Sequence, residues 1–281
     1  MPRTTPRDKA GQAPPSKPPS EPAIRAERSV PDSSPEETLG DREQRLARIV
    51  TQLDTDARYA MGSRRFPGHV SPTDAIEIAA ALADELDDGA RARAQKAEQQ
   101  GMQIACDIGC HRCCTVVVTA YQPEILRIAQ FLEQPENAAE KKGFLDRYSA
   151  WRAAVGDEVE ALPQTMAQGQ QAEIDRLHFA LWRRGALCAF NEGGICTIYP
   201  VRPLACRNAH ALDTDAYCVP DPPGGKRPTM VDFVPMNRFL NKATRLLHAA
   251  HNAIAAPGQR HQQEALCSSV FRLLTSSAKA P

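Results

Sequence analysis

The stretch CDIGCHRCC, residues 106–114, places four cysteines within nine residues. A second group lies in CAFNEGGICTIYPVRPLACR, as Cys188, Cys196 and Cys206, and Cys218 follows in AYCVPDPPGG. A Cys-x2-Cys or Cys-x3-Cys step lets one turn of backbone present two sulfurs to the same ion. Zinc takes four such ligands in a tetrahedron, at roughly 2.3 Å from each sulfur. Thiolates serve iron and iron–sulfur clusters equally well, so ligand type leaves the choice of zinc or iron open. The candidate ligands are Cys106, Cys110, Cys113, Cys114, Cys188, Cys196 and Cys206, with Cys218 as an eighth. A site closed from two segments some seventy residues apart would tie the intervening helices together. Structural zinc peptides gain on the order of 10–16 kcal/mol this way near neutral pH.

Cys113 and Cys114 are adjacent, and in an extended segment their side chains would point to opposite faces. One of them would then serve a second metal or bridge two, or be a buried thiol. Three arginines, Arg112, Arg202 and Arg207, lie within the cysteine segments and could compensate thiolate charge. Arg207, beside Cys206, is the expected partner. Cys106, Cys110 and Cys113 also spell CxxxCxxC, the spacing of radical S-adenosylmethionine enzymes, but no alternation of strands and helices follows to build their barrel. A cysteine nucleophile with His111 or His210 as base would need a single thiol, and here there are eight. His69, His178, His248, His251 and His261 read as surface or helix-face residues, and Cys267 as a buried inert thiol.

The elements that must position these sulfurs are helical. In SPTDAIEIAAALADEL, Ser71 suits an N-cap, Pro72 the first helical position and Asp74 the positive helix end. Ala75, Ile78, Ala79, Leu82 and Leu86 then form an apolar face. An earlier stripe runs over residues 41–61. TAYQPEILRIAQFL repeats the pattern, with Pro123 and Glu124 in the first turn and Pro135 as the stop. Further helices are expected near 138–155, over Ile174 to Leu181, over Phe239 to Ala250 and over Leu266 to Leu273. The CTVVV run at 114–118 is the one candidate strand. NEGG and PPGG read as turns bending the backbone around the metal.

Residues 1–36 hold nine of the 23 prolines and almost no large apolar side chain. Such a segment cannot bury enough surface to offset ordering entropy and is expected to be disordered. The expected layout is therefore a Pro-rich disordered tail at 1–40, N-terminal helices at 41–101, and a cysteine-cluster metal-binding domain with C-terminal helices at 102–281. The fold class is mainly α, with two irregular cysteine-rich segments. The 281 residues carry 34 basic and 34 acidic side chains, so no excess positive charge favours nucleic acid. No apolar run is long enough for a membrane span or a signal peptide, which makes the cytoplasm the expected compartment. Thiols stay reduced there and serve as metal ligands more readily than as disulfides.

GCHRCC, the helix opening QPEILRIA, and C-x7-C-T-I-Y-x-x-R-P-x-x-C-R together resemble the YkgJ-type cysteine-cluster family, a zinc- or iron-chelating domain with a CxxCxxCC signature. The resemblance covers roughly 106–210. It implies metal chelation by the seven cysteines from Cys106 to Cys206, with Tyr199, Arg202, Pro203 and Arg207 as accompanying motif residues. Cys218 lies beyond it. The flagellin lysine methylases are similar in this cysteine block, which implies an alternative function as a metal- or iron–sulfur-dependent enzyme, a protein lysine N-methyltransferase or a redox enzyme. The expected partner is a metal ion, and no protein partner is indicated.

Overall fold

Ser71 opens the first long helix with a capping box. Its hydroxyl accepts the Asp74 amide at 3.1 Å, and the Asp74 carboxylate accepts the Ser71 amide at 3.2 Å. Helix α1 then runs Pro72–Gln99, as the caps predict. The computed structural model of the chain describes residues 51, 70–106, 109–207, 210–211, 214–225, 234–255 and 263–276. The tail at 1–40 and nearly all of the 41–61 stripe lie outside these residues.

After the first cysteine segment come strand β1 (Thr119–Ala120), α2 (Gln122–Glu133), α3 (Ala138–Val155), α4 (Glu158–Gln168) and α5 (Gln171–Arg183). The second cysteine segment holds β2 (Asn191–Glu192), β3 (Ile195–Cys196) and the short α6 (Leu204–Arg207). It is followed by α7 (Val234–Ile254), β4 (Glu264–Ala265) and α8 (Leu266–Ser276). The mainly helical reading holds: the strands are two residues each, β1 pairing antiparallel with β4 and β2 with β3. CTVVV is not a strand. Arg112–Thr115 form a 3-10 turn, and the extended pair begins only at Thr119.

Two apolar clusters support the cysteine segments. In one, Ile125, Ile128 and Leu132 of α2 meet Phe144, Trp151 and Val155 of α3, Leu181 of α5, Phe190, and Leu266 and Val270 of α8. Phe144 stacks on Phe190 with centroids 4.2 Å apart, which fixes the chain just past Cys188. In the other, Ala75, Ile78, Leu82 and Leu86 of α1 pack with Leu204 of α6 and with Ala243, Leu246 and Leu247 of α7. Each fully buried Leu, Ile or Phe contributes about 1.5–3 kcal/mol relative to exposure, so both ends of the second segment are anchored by packing. Among the described residues no helix is long and apolar enough to cross a membrane.

Candidate metal centre

The two cysteine segments converge. The Cys188 amide donates to the Cys114 carbonyl at 2.8 Å, and the Ala105 amide to the Ala211 carbonyl at 2.8 Å. The Gly193–Gly194 turn between β2 and β3 closes against the first segment. A Cβ on Gly194 would stand 3.4 Å from the Gly109 carbonyl oxygen, and its φ of +90° is one that L side chains rarely adopt. NEGG is thus a turn, as its glycines suggest, and it packs on the loop that carries Cys110.

Within the first segment the 3-10 turn changes the relation of Cys113 and Cys114. The opposite-face expectation assumed an extended chain. In the turn, the Cys113 thiol donates to the Cys114 sulfur, which raises the pKa of Cys113 and lowers that of Cys114. Thr115 extends the same turn, its hydroxyl donating to the Arg112 carbonyl at 2.8 Å and accepting the Trp182 indole N–H at 2.9 Å. Helix α5 thereby holds the turn in place.

The strongest sulfur–sulfur electrostatic effects sort the thiols into two neighbourhoods. Cys114 is influenced by Cys188 and Cys196, and Cys206 by the same two. Cys106 is influenced by Cys110, and Cys218 by Cys106 and Cys110. Cys113 acts on members of both, including Cys106, Cys188, Cys196, Cys206 and Cys218. Burial pushes the Cys196 and Cys218 thiols up to about 11, and it also raises Cys106 and Cys206. Backbone amides oppose this. The Ala211 amide donates to the Cys106 sulfur at 3.0 Å, Phe190 N–H to Cys188 and Ile198 N–H to Cys196. Amides aimed at sulfur favour the thiolate, the form a metal needs. Among the described residues, however, no group of three or more His, Cys, Asp or Glu side chains is placed so that it could hold a metal ion.

Two buried polar nitrogens, on Asn191 and Arg202, stand in the neighbourhood of these sulfurs. The Asn191 amide Nδ2 has no hydrogen-bond partner, in a residue only 3 % exposed, and Asn191 lowers the pKa of Cys114. The Arg202 Nε is also buried and unpaired. Its guanidinium stacks on Tyr199 at 3.9 Å and its charge favours thiolates at Cys113 and Cys196. Both groups complement negative sulfur better than neutral thiol, and this donor set suits a thiophilic cation.

Arg207 is not the expected charge partner of the sulfurs. Its side chain is 2 % exposed and pairs with Asp87 of α1, while donating to the Arg202 carbonyl at 2.8 Å and the Pro200 carbonyl at 2.7 Å. It pins the Tyr199–Arg207 loop to α1, and Arg202 is the arginine that faces the thiols. Arg112 donates instead to Asp215 at 3.3 Å. The His210 ring bonds the Arg207 carbonyl at 2.9 Å, and His111 Nδ1 lies 3.2 Å from the Gly109 carbonyl oxygen. Cys267 is buried as expected, but its sulfur lies 3.7 Å from that of Cys188 and so backs the inner neighbourhood. Residues that spacing did not single out are Asn191 and Asp215, and Glu124, expected only in the first turn of its helix, does more. Glu124 is buried and accepts the Leu204 amide at 2.8 Å and the Tyr121 amide at 3.0 Å, joining the start of α2 to the start of α6.

Residues 105–222 match the model of the CxxCxxCC family, whose description reads "Putative zinc- or iron-chelating domain". The match extends to 222 and so includes Cys218, which the sequence motifs alone had left outside. It supports a metal-binding role and carries nothing for the enzymatic alternative. No curated protein and no solved structure matches the chain.

Proposed function

We propose that the CxxCxxCC domain holds two zinc or iron ions through thiolates, an inner one and an outer one. Cys114, Cys188, Cys196 and Cys206 would hold the inner ion, and Cys106, Cys110 and Cys218 the outer, with Cys113 between them. The observation that carries this reading is the junction of the two segments, where the Cys188 amide meets the Cys114 carbonyl and sulfurs from both segments influence one another. A bound cation supplies the positive charge that lets buried thiols lose their protons. The chain's own groups prepare that state: Ala211, Phe190 and Ile198 amides point at sulfur, and Asn191 and Arg202 stand ready beside it.

Glu124 and Arg207 fix the loop that carries Cys206. That arrangement supports a closed site that ties α1, α2 and α6 together. Elemental analysis of anaerobically purified protein tests the proposal. About two ions per chain are expected, with Cys196→Ser and Cys110→Ser each losing one of them. A colourless zinc protein and a brown iron–sulfur protein are separated by their visible spectra. Metal content unchanged in both variants would overturn the assignment.

A further inference from the structure

Cys267 lies outside both cysteine segments and outside the stretch that matches the family model, yet its sulfur is 3.7 Å from that of Cys188, 79 residues earlier in the chain. Two thiols in contact need no third group to react with each other. Closing a disulfide would bring the sulfurs to about 2.05 Å. Packing brings both residues to this spot. Cys267 stands in the first turn of α8, whose start is tied down by the Leu266 amide donating to the Val118 carbonyl at 3.0 Å. Cys188 stands in the link between α5 and β2, where no helix holds its backbone. The Ala189 amide is directed at the Cys267 sulfur and the Phe190 amide at the Cys188 sulfur, so successive residues of this link clasp both. Access differs between the two. Cys267 is 4 % exposed, whereas Cys188 is partly exposed beside Leu187, itself 39 % exposed. A small oxidant therefore meets Cys188 first, with Cys267 as the buried thiol behind it.

We infer that Cys188 and Cys267 form a reversible disulfide when the chain meets hydrogen peroxide, and so act as a redox switch. The Cys188 thiol takes one peroxide oxygen, giving a sulfenic acid and one water. The Cys267 sulfur then attacks the Cys188 sulfur; the S–S bond forms, the S–O bond breaks, and the hydroxyl leaves with the Cys267 proton as a second water. Two thiols lose two electrons in total, and one peroxide is reduced by them. A small-molecule thiol restores the pair by exchange. A thiol that merely fills space in the core would do none of this. The consequence for the metal rests on the two-ion reading above: the disulfide withdraws Cys188 from the inner ion, so oxidation releases that ion.

The test exposes the full chain, chelator-treated and separately zinc-loaded, to hydrogen peroxide, alkylates the remaining thiols and maps the digest by mass spectrometry. A Cys188–Cys267 cross-link that dithiothreitol removes is expected in both forms. The same treatment in urea should scatter the pairing among the nine cysteines, because the fold and not the sequence selects the partner. In Cys267→Ala the cross-link is lost and Cys188 accumulates as a sulfenic acid that dimedone traps; in Cys188→Ala, Cys267 stays reduced. No cross-link in the folded wild-type chain, or Cys188 joined to a different cysteine, would overturn the pair, and this result does not depend on whether either variant folds. Zinc followed with 4-(2-pyridylazo)resorcinol should leave in step with the cross-link. A complete cross-link with all the zinc retained would keep the pair and overturn the place of Cys188 in the two-ion reading.

Discussion

Replacing Arg207 by methionine separates a structural pin from a charge partner of sulfur. The guanidinium is 2 % exposed, pairs with Asp87, and donates to two backbone carbonyls, of Arg202 and Pro200. Removing one member of a buried ion pair costs about 3–5 kcal/mol, because the remaining charge is left uncompensated. Arg202 stands 3.9 Å from the other Asp87 oxygen and relieves part of that loss. Each abandoned carbonyl adds about 1–3 kcal/mol if water cannot reach it. A net destabilisation of at least about 3–5 kcal/mol follows, a large share of the 5–15 kcal/mol typical of a folded domain. Arg207→Lys should recover only part of it, since one ammonium can keep Asp87 company but cannot span both carbonyls. Urea unfolding followed by circular dichroism, on chelator-treated and metal-loaded protein, measures this. The pin predicts a loss of similar size in both forms. A loss confined to the loaded form, with the metal-free protein within about 1 kcal/mol of wild type, would refute the reasoning and return Arg207 to the sulfurs.

Three further outcomes are expected. Because the Trp182 indole donates to Thr115 beside Cys114, chelator treatment should shift tryptophan emission to the red, and Trp182→Phe should abolish most of that response; emission unaffected by metal removal would contradict the link. Glu124→Gln should destabilise by about 1–3 kcal/mol, since a carboxamide cannot offer acceptors to both the Tyr121 and Leu204 amides, and a neutral result in urea would show that the bridge between α2 and α6 is idle. Burial lowers the pKa of His178 in the fold, opposed by Asp175. Its unfolded state therefore takes up protons first, and the stability due to neutral His178 is complete above about pH 6.5 and lost as pH falls through the depressed value. His178→Asn in chelator-treated protein should shrink the difference in urea midpoint between pH 7.5 and pH 5.5, and an undiminished difference would assign the effect to other groups.

Much of the helical frame was legible because it is written locally. Ser71, Pro72 and Asp74 cap α1 through contacts within four residues, and Pro135 ends α2 by its own covalent geometry. Helix α4 was not read from the sequence. Pro163 sits six residues into it, where it reads as a breaker, yet Val159 and Leu162 are held in the core by neighbouring helices. The cysteines announced themselves by type and spacing. Their supporting groups did not, because those depend on tertiary closure. Asp215 reaches Cys110 across 105 residues, and Arg207 and Arg202, both within reach of Asp87, could not be told apart until packing set Arg207 on the Arg202 and Pro200 carbonyls and stacked Arg202 on Tyr199. The 3-10 turn at Arg112–Thr115 was hidden by the β-branched residues that follow it, which favour the extended reading.

The most direct test is a crystal of the metal-loaded protein measured at the zinc or iron absorption edge. The account predicts anomalous peaks whose sulfur neighbours come from both segments, with Cys114 facing Cys188, Cys196 and Cys206 across one ion. Peaks ringed by sulfurs of a single segment, or no peak at the junction of Cys114 and Cys188, would contradict it.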